Sequence, residues 1–168
     1  MKKSPVILAG FLLALHVSQL AAQTAGKPAV IKAVETPLTV SCQSATADGK
    51  IACEMTKQLR TSEPASLIAQ VSVLQGAEGT QMRIIAPHQL AIANGVTFSI
   101  DDVVVGQRAF TTSVQSGIVA LFVLDEAMLT AARSGALMKV AAKTRTGQDF
   151  SFTISLAGFS TALEKLLQ

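Results

Sequence analysis

The chain has 168 residues and 17.5 kDa, the length of one domain, with 49% hydrophobic and only 15% charged residues and a mean hydropathy of +0.45. Such a composition excludes a solvated disordered chain, because enough apolar surface exists to offset the entropy of ordering it. Aromatics are 4%, all seven of them Phe, which leaves little material for stacking on sugars or bases, and the scattered charges form no patch for a nucleic acid.

In chain order, Lys2 and Lys3 precede an uncharged apolar run from Pro5 to Leu15, and small residues follow at Ala21 and Ala22. This is the plan of a secretory signal peptide over residues 1–22; the run is about half of the roughly 20 residues a membrane-spanning helix needs. Cleavage after Ala22 would take Lys2 and Lys3 with it and lower the net charge from +3 to about +1. No later stretch reaches spanning length, so the mature chain carries no transmembrane segment. Residues 23–37, with Gly26, Pro28 and Pro37 and no strong period, read as a flexible N-terminal arm, and the domain begins at residue 38.

Cys42 and Cys53 are the chain's two cysteines. Asp48-Gly49 between them is a strong hairpin-turn dipeptide, and the alternations Leu38, Val40, Cys42 and Ile51, Cys53, Met55 put both sulfurs on one side of two facing strands. In an exported protein this predicts a disulfide, stabilising by about 3 kcal/mol. A zinc site would lack ligands, with only Asp48 and Glu54 nearby, and a redox dithiol more usually has C-x-x-C spacing.

Strand signals then recur over 38–43, 50–56, 67–74, 82–86, 96–100, 103–105, 109–114 and 118–124, separated by Gly-, Pro-, Asn- and Asp-containing turns. Asp125 can cap a helix from Glu126 to about Arg133, stopped by Gly135. A hairpin pattern over 137–144 and 149–156 follows, around Thr146-Gly147. Phe159, Leu163, Leu166 and Leu167 recur at helical spacing, with Thr161 to Glu164 matching a capping box. The expected architecture is mainly β: an immunoglobulin-like β-sandwich with one crossover helix and a C-terminal amphipathic helix, spanning residues 38–168.

The catalytic inventory is sparse. His88, the single imidazole after the leader, sits in a predicted loop, and no G-x-S-x-G, H-E-x-x-H or phosphate-loop motif accompanies it. It reads as an ordinary loop residue. Asp101-Asp102 reads as a tight turn rather than a cation site or an acid–base dyad, since adjacent strand residues point to opposite faces. Asp125-Glu126 reads as a helix N-terminus, and Lys139, Lys143 and Arg145 as a solvated strand face. Neither enzyme chemistry nor a cofactor nor a metal is expected. An apolar pocket between the sheets, holding a small ligand or lipid, is the alternative reading.

Several stretches together resemble one family: Ala86-Pro87-His88-Gln89-Leu90, Asn94 to Asp102 with its G-V-x-x-x-I-D pattern, and Leu156 to Leu163 with its L-x-G-F-x-x-A-L pattern. With the leader and the cysteine hairpin, they resemble the invasion-associated locus B family of bacterial envelope proteins over residues 38–167. The resemblance implies a sandwich fold and a periplasmic, outer-membrane-associated or secreted protein, with host-cell invasion attached to some members. It also implies a protein partner in the envelope or on a host cell. The family commonly carries a second cysteine pair, C-x-x-x-G-C, where this chain has Ser113 and Ile118 around Gly117. Loss of both together avoids a stray thiol in an oxidising compartment.

Overall fold

The computed structural model describes residues 33–44 and 51–168. The expected leader, most of the expected arm and the Asp48-Gly49 turn lie outside them. Two antiparallel sheets face each other. The larger contains β1 (Ala33–Glu35), β2 (Thr39–Ser44), β3 (Ile51–Thr61), β4 (Leu67–Gly76), β5 (Gly79–Ala86), β8 (Thr112–Val114) and β9 (Gly117–Val123), with β3, β4, β5, β9 and β8 side by side and both β1 and β2 along the outer edge of β3. The smaller has the order β11 (Asp149–Ser155), β10 (Leu137–Lys143), β6 (Val96–Ile100), β7 (Val103–Arg108). Helix α1 (Glu126–Ser134) carries the chain from β9 to β10, and α2 (Phe159–Leu166) follows β11.

Alternation decides which face each strand buries. Val96, Phe98 and Ile100 of β6, Met138 and Val140 of β10, and Phe152 and Ile154 of β11 turn inward, while Lys139, Ser151 and Thr153 face solvent. They meet Met55, Val73, Met82, Ile84, Ala120 and Phe122 of the larger sheet in one core, in which the rings of Phe98 and Phe122 stack with centroids 5.0 Å apart. The fold is the expected β-sandwich with one crossover and one terminal helix.

Both helices form where expected, one of them with a different start. Asp125 accepts the Met128 N–H at 2.8 Å, and Gly135 stops α1; a Cβ there would come 2.2 Å from Ile100 Cγ2. The capping box at Thr161 to Glu164 does not form. Helix α2 begins three residues before that box would start it, after Gly158 in the left-handed region (φ 81°), because Phe159 is drawn into the core together with Ala162, Leu163 and Leu166. Burying that apolar stripe is worth more than a side-chain cap.

Three strand boundaries also move. Residues 109–111, expected in a strand, precede the short β8, and β7 runs on to Arg108. Strand β3 continues past Thr56 to Thr61, because β1 and β4 pair with its polar half. The ordered sheet therefore starts before residue 38: Ala33–Glu35, inside the expected arm, is β1.

An ion pair between a buried lysine and a half-buried glutamate explains that start. Lys57 is 8% exposed, yet its position in β3 faces inward; its Nζ lies 2.8 Å from Glu35 Oε1 and donates to the Ser155 carbonyl at 2.8 Å. The Ser155 N–H donates in turn to Glu35 Oε1 at 2.7 Å. Two side chains of the larger sheet thus satisfy both backbone groups of a residue at the end of β11, and hold the two sheets together at this margin.

Candidate functional site

The residues singled out in the sequence do not converge. His88 is exposed in its loop, with its Nε2 3.5 Å from the Gln115 carbonyl oxygen. Asp101 and Asp102 form the β6–β7 turn, both at positive φ (47° and 68°), a conformation that a short polar side chain tolerates. The Asp101 carboxylate accepts the N–H groups of Ala136 and Leu137 at 3.0 and 2.9 Å, which hold its carboxyl below the usual value. Asp125 is used as the α1 cap. Lys143 pairs with Asp149 at 2.6 Å on the outer face, where Lys139 is also exposed, and Arg145 is exposed beyond the end of β10. Among the described residues, no cluster of His, Cys, Asp and Glu comes together in a way that could hold a metal ion.

Cys42 and Cys53 are joined by a disulfide and lie directly opposite each other in the β2–β3 register. Cys42 is exposed, and Cys53 is half-buried against the core. Ser113 and Ile118 are likewise directly opposite, in the β8–β9 hairpin. Ile118 there packs into a small apolar cluster with Ala86 and Leu90.

The space between the sheets is nearly filled. The cavity beside Met55, Val71 and Phe159 is about 20 Å³, room for one water and far below the several hundred Å³ of a ligand pocket. The lipid-carrier alternative finds no chamber there.

A concavity does exist at the disulfide margin. Leu38, Val40 and Cys42 form one wall and Ala157, Gly158, Thr161, Ala162 and Lys165 the other, enclosing an open groove of about 800 Å³ between β2 and α2. The groove mixes apolar side chains, Leu38, Val40 and Ala162, with polar ones, Thr161 and the exposed Lys165. It brings together two segments far apart in the chain, the cysteine hairpin and the closing helix.

Two charged arrangements escaped sequence reasoning. One is the Glu35–Lys57 pair; its only signal is that Lys57 falls in the apolar phase of Met55 and Leu59, while Glu35 lies in a stretch without periodicity. The other lies on the outer face of the larger sheet, where Glu54 is bonded to Arg83 and accepts the Thr56 hydroxyl at 3.0 Å. Partial burial alone would raise the Glu54 carboxyl, but bonds from Ser72 and Thr56 and the Arg83 charge outweigh it and hold it below its ordinary value. That face could be found only by knowing that β3, β4 and β5 are neighbours.

With the geometry in hand, comparison with known proteins is decisive at the level of family. The family model described as "Invasion associated locus B (IalB) protein" matches residues 39–167. The chain belongs to the invasion-associated locus B family. The match runs from β2 to α2, so the groove's lining apart from Leu38 falls within the family domain, whereas β1 and Glu35 precede it. Among solved structures, the crystal structure of invasion associated protein b from Bartonella henselae is similar in fold, with a TM-score of 0.67 at 23% identity over 77% of this chain and 90% of that one. A comparison with curated proteins finds no significant match. Among the described residues, no helix is long and apolar enough to cross a membrane.

Proposed function

We propose that this chain is an exported, non-enzymatic interaction protein of the bacterial envelope, which engages a protein partner through the groove between β2 and α2. The observation that carries the reading is that groove, walled by the disulfide-bonded strand on one side and the closing helix on the other. A disulfide on an exposed edge strand is at home in an oxidising compartment, which supports export after removal of residues 1–22 and leaves the sandwich from β1 to α2 as the working domain. Asp101, Asp125 and Lys143 serve a turn, a cap and a surface pair, and a nearly solid interior favours action by contact over action by carriage.

The test is a photo-crosslinking residue placed at exposed Thr161 on the groove wall, in cells producing the protein, with exposed Thr153 on the outer face of the smaller sheet as the control. A discrete protein adduct from position 161 and none from 153 is the expected result. Equal labelling from both positions, or none at 161 with the protein folded, removes the groove as the site. Protease added to intact cells separates surface display from periplasmic retention, and the mass of the exported protein reports the leader cut.

A further inference from the structure

We infer that the partner is engaged as an extended segment that pairs with the open edge of β2, joins the larger sheet as a further strand, and lays alternate apolar side chains into the groove, with an acidic one against Lys165. This rests on the interaction reading above and names the chemistry of the partner.

The backbone carries the argument. In an antiparallel ladder, opposite residues alternate between pairs that exchange hydrogen bonds, with Cα atoms about 5.5 Å apart, and narrower pairs about 4.5 Å apart whose N–H and C=O groups point away from one another. Cys42 and Cys53 have their Cα atoms 4.0 Å apart, which makes theirs a narrow pair. The N–H and C=O of Cys42 therefore point away from β3, and with a period of two so do those of Val40 and Ser44. Among the described residues, no backbone hydrogen bond reaches these outward groups. A few residues earlier the same margin is closed, where Glu35 takes the Ser155 N–H.

Edge strands are normally guarded by charge, proline, a bulge or shortness. Strand β8 is three residues long, β7 carries an irregular register and ends in Arg108, and β11 begins at Asp149, paired with Lys143. Strand β2, Thr-Val-Ser-Cys-Gln-Ser, has no charge and no proline, and its register to β3 is unbroken. The disulfide holds it in place, so the edge is presented already ordered and binding costs less entropy.

Side chains agree with the backbone. Val40 and Cys42 face the groove, so a strand laid about 4.8 Å outside β2 would send every second side chain to the same side, over Thr161 and Ala162. Lys165 stands exposed at the rim and makes none of the ion pairs found among the described residues, which favours an acidic side chain opposite it.

The experiment pans random linear peptides on the oxidised full chain and measures the selected ones by titration and by amide exchange. The expected winners alternate apolar residues around an acidic one and slow exchange at Cys42 and Ser44. N-methylation of the peptide in the register facing β2 lowers affinity by about a hundredfold, while the other register changes it by less than about twofold. Lys165→Glu weakens binding by about tenfold. Peptides that bind with both registers of N-methylation harmless, or that protect amides elsewhere, overturn the inference. So does protection of the same amides by self-association in sedimentation runs, which would make the occupant a second copy, or by phosphatidylglycerol vesicles, which would make it a lipid surface. The two readings fail separately: a crosslink at position 161 without strand-type binding sinks only this inference, and strand-type binding without a cellular crosslink sinks the proposed function.

Discussion

The two margins of the larger sheet are fastened by different means. At one, β2 is bonded covalently to β3 through Cys42 and Cys53, and β1 is held by the pairing of Glu35 with the buried Lys57 and their grip on Ser155. At the other, β8 lies against β9 with Ser113 opposite Ile118 and no covalent tie; Ile118 is 2% exposed among Ala86 and Leu90, and a Cβ on Gly117 would come 2.2 Å from the Ala86 carbonyl oxygen. The difference follows burial. Most side chains of β2 are exposed, so hydrophobic burial supplies little there and specific bonds hold the strand. The β8–β9 hairpin turns Ile118 into a packed pocket, and packing alone suffices.

The largest test removes an ionic fastener. Glu35→Ala leaves the buried Lys57 ammonium without its half-buried carboxylate and the Ser155 N–H without an acceptor, and chemical denaturation should register a loss of about 3 kcal/mol. The apolar pair Glu35→Leu with Lys57→Met should recover only the part due to the unpaired ammonium, because both backbone groups of Ser155 lose their side-chain partners. If Glu35→Ala costs nothing, the ionic half of the comparison is broken.

Next comes the covalent fastener. Replacing Cys42 and Cys53 together by Ser should cost about 3 kcal/mol on the entropy of the released loop, in the same denaturation assay. Proteolysis under native conditions should then begin at β2. Loss of stability without local opening at β2 would show that the bridge supports the whole fold rather than its margin.

On the opposite margin, Ile118→Val should cost about 1 kcal/mol, as trimming one methylene from a packed site does. The double change Ser113→Cys and Ile118→Cys should yield a second bridge on oxidation, scored by the disappearance of free thiol, because the two positions are already in register. Failure to close would mean that the hairpin is not aligned as its ladder indicates.

The smallest effect sharpens the comparison on the outer face. Glu54 is held below its ordinary value of 4.5, so its contribution is fully present above that value and is lost as the pH falls through the lowered one. Wild type should exceed Glu54→Gln in stability by less than about 1 kcal/mol near neutrality, the pair being only partly buried, and the two should converge in acid. A gap that persists or grows at low pH contradicts the assignment.

Much of this architecture was readable in the chain. Period-two alternation in β6, β10 and β11, the Asp125 cap, the Gly135 stop and the facing cysteines all act over short distances, where side-chain pattern and backbone geometry determine the outcome. Glu35 and the groove were not readable, for a common reason. Glu35 has no local period to mark it, and its value comes from Ser155, 120 residues away. The groove needs Cys42 and Thr161 on facing walls. The start of α2 shows the same limit: a local rule favoured Thr161 as a cap, and burial of Phe159 overrode it.

By itself, then, the sequence determined a β-rich chain with a tied hairpin, a crossover helix and an apolar terminal helix, because hydrophobic period, turn residues and paired sulfurs are local properties. Tertiary structure alone decided which strand edge has no partner among the described residues, which lysine is buried beside a glutamate, and where a groove lies. Those depend on which distant surfaces come into contact, and free energies of contact and desolvation are set by neighbours in space rather than in sequence.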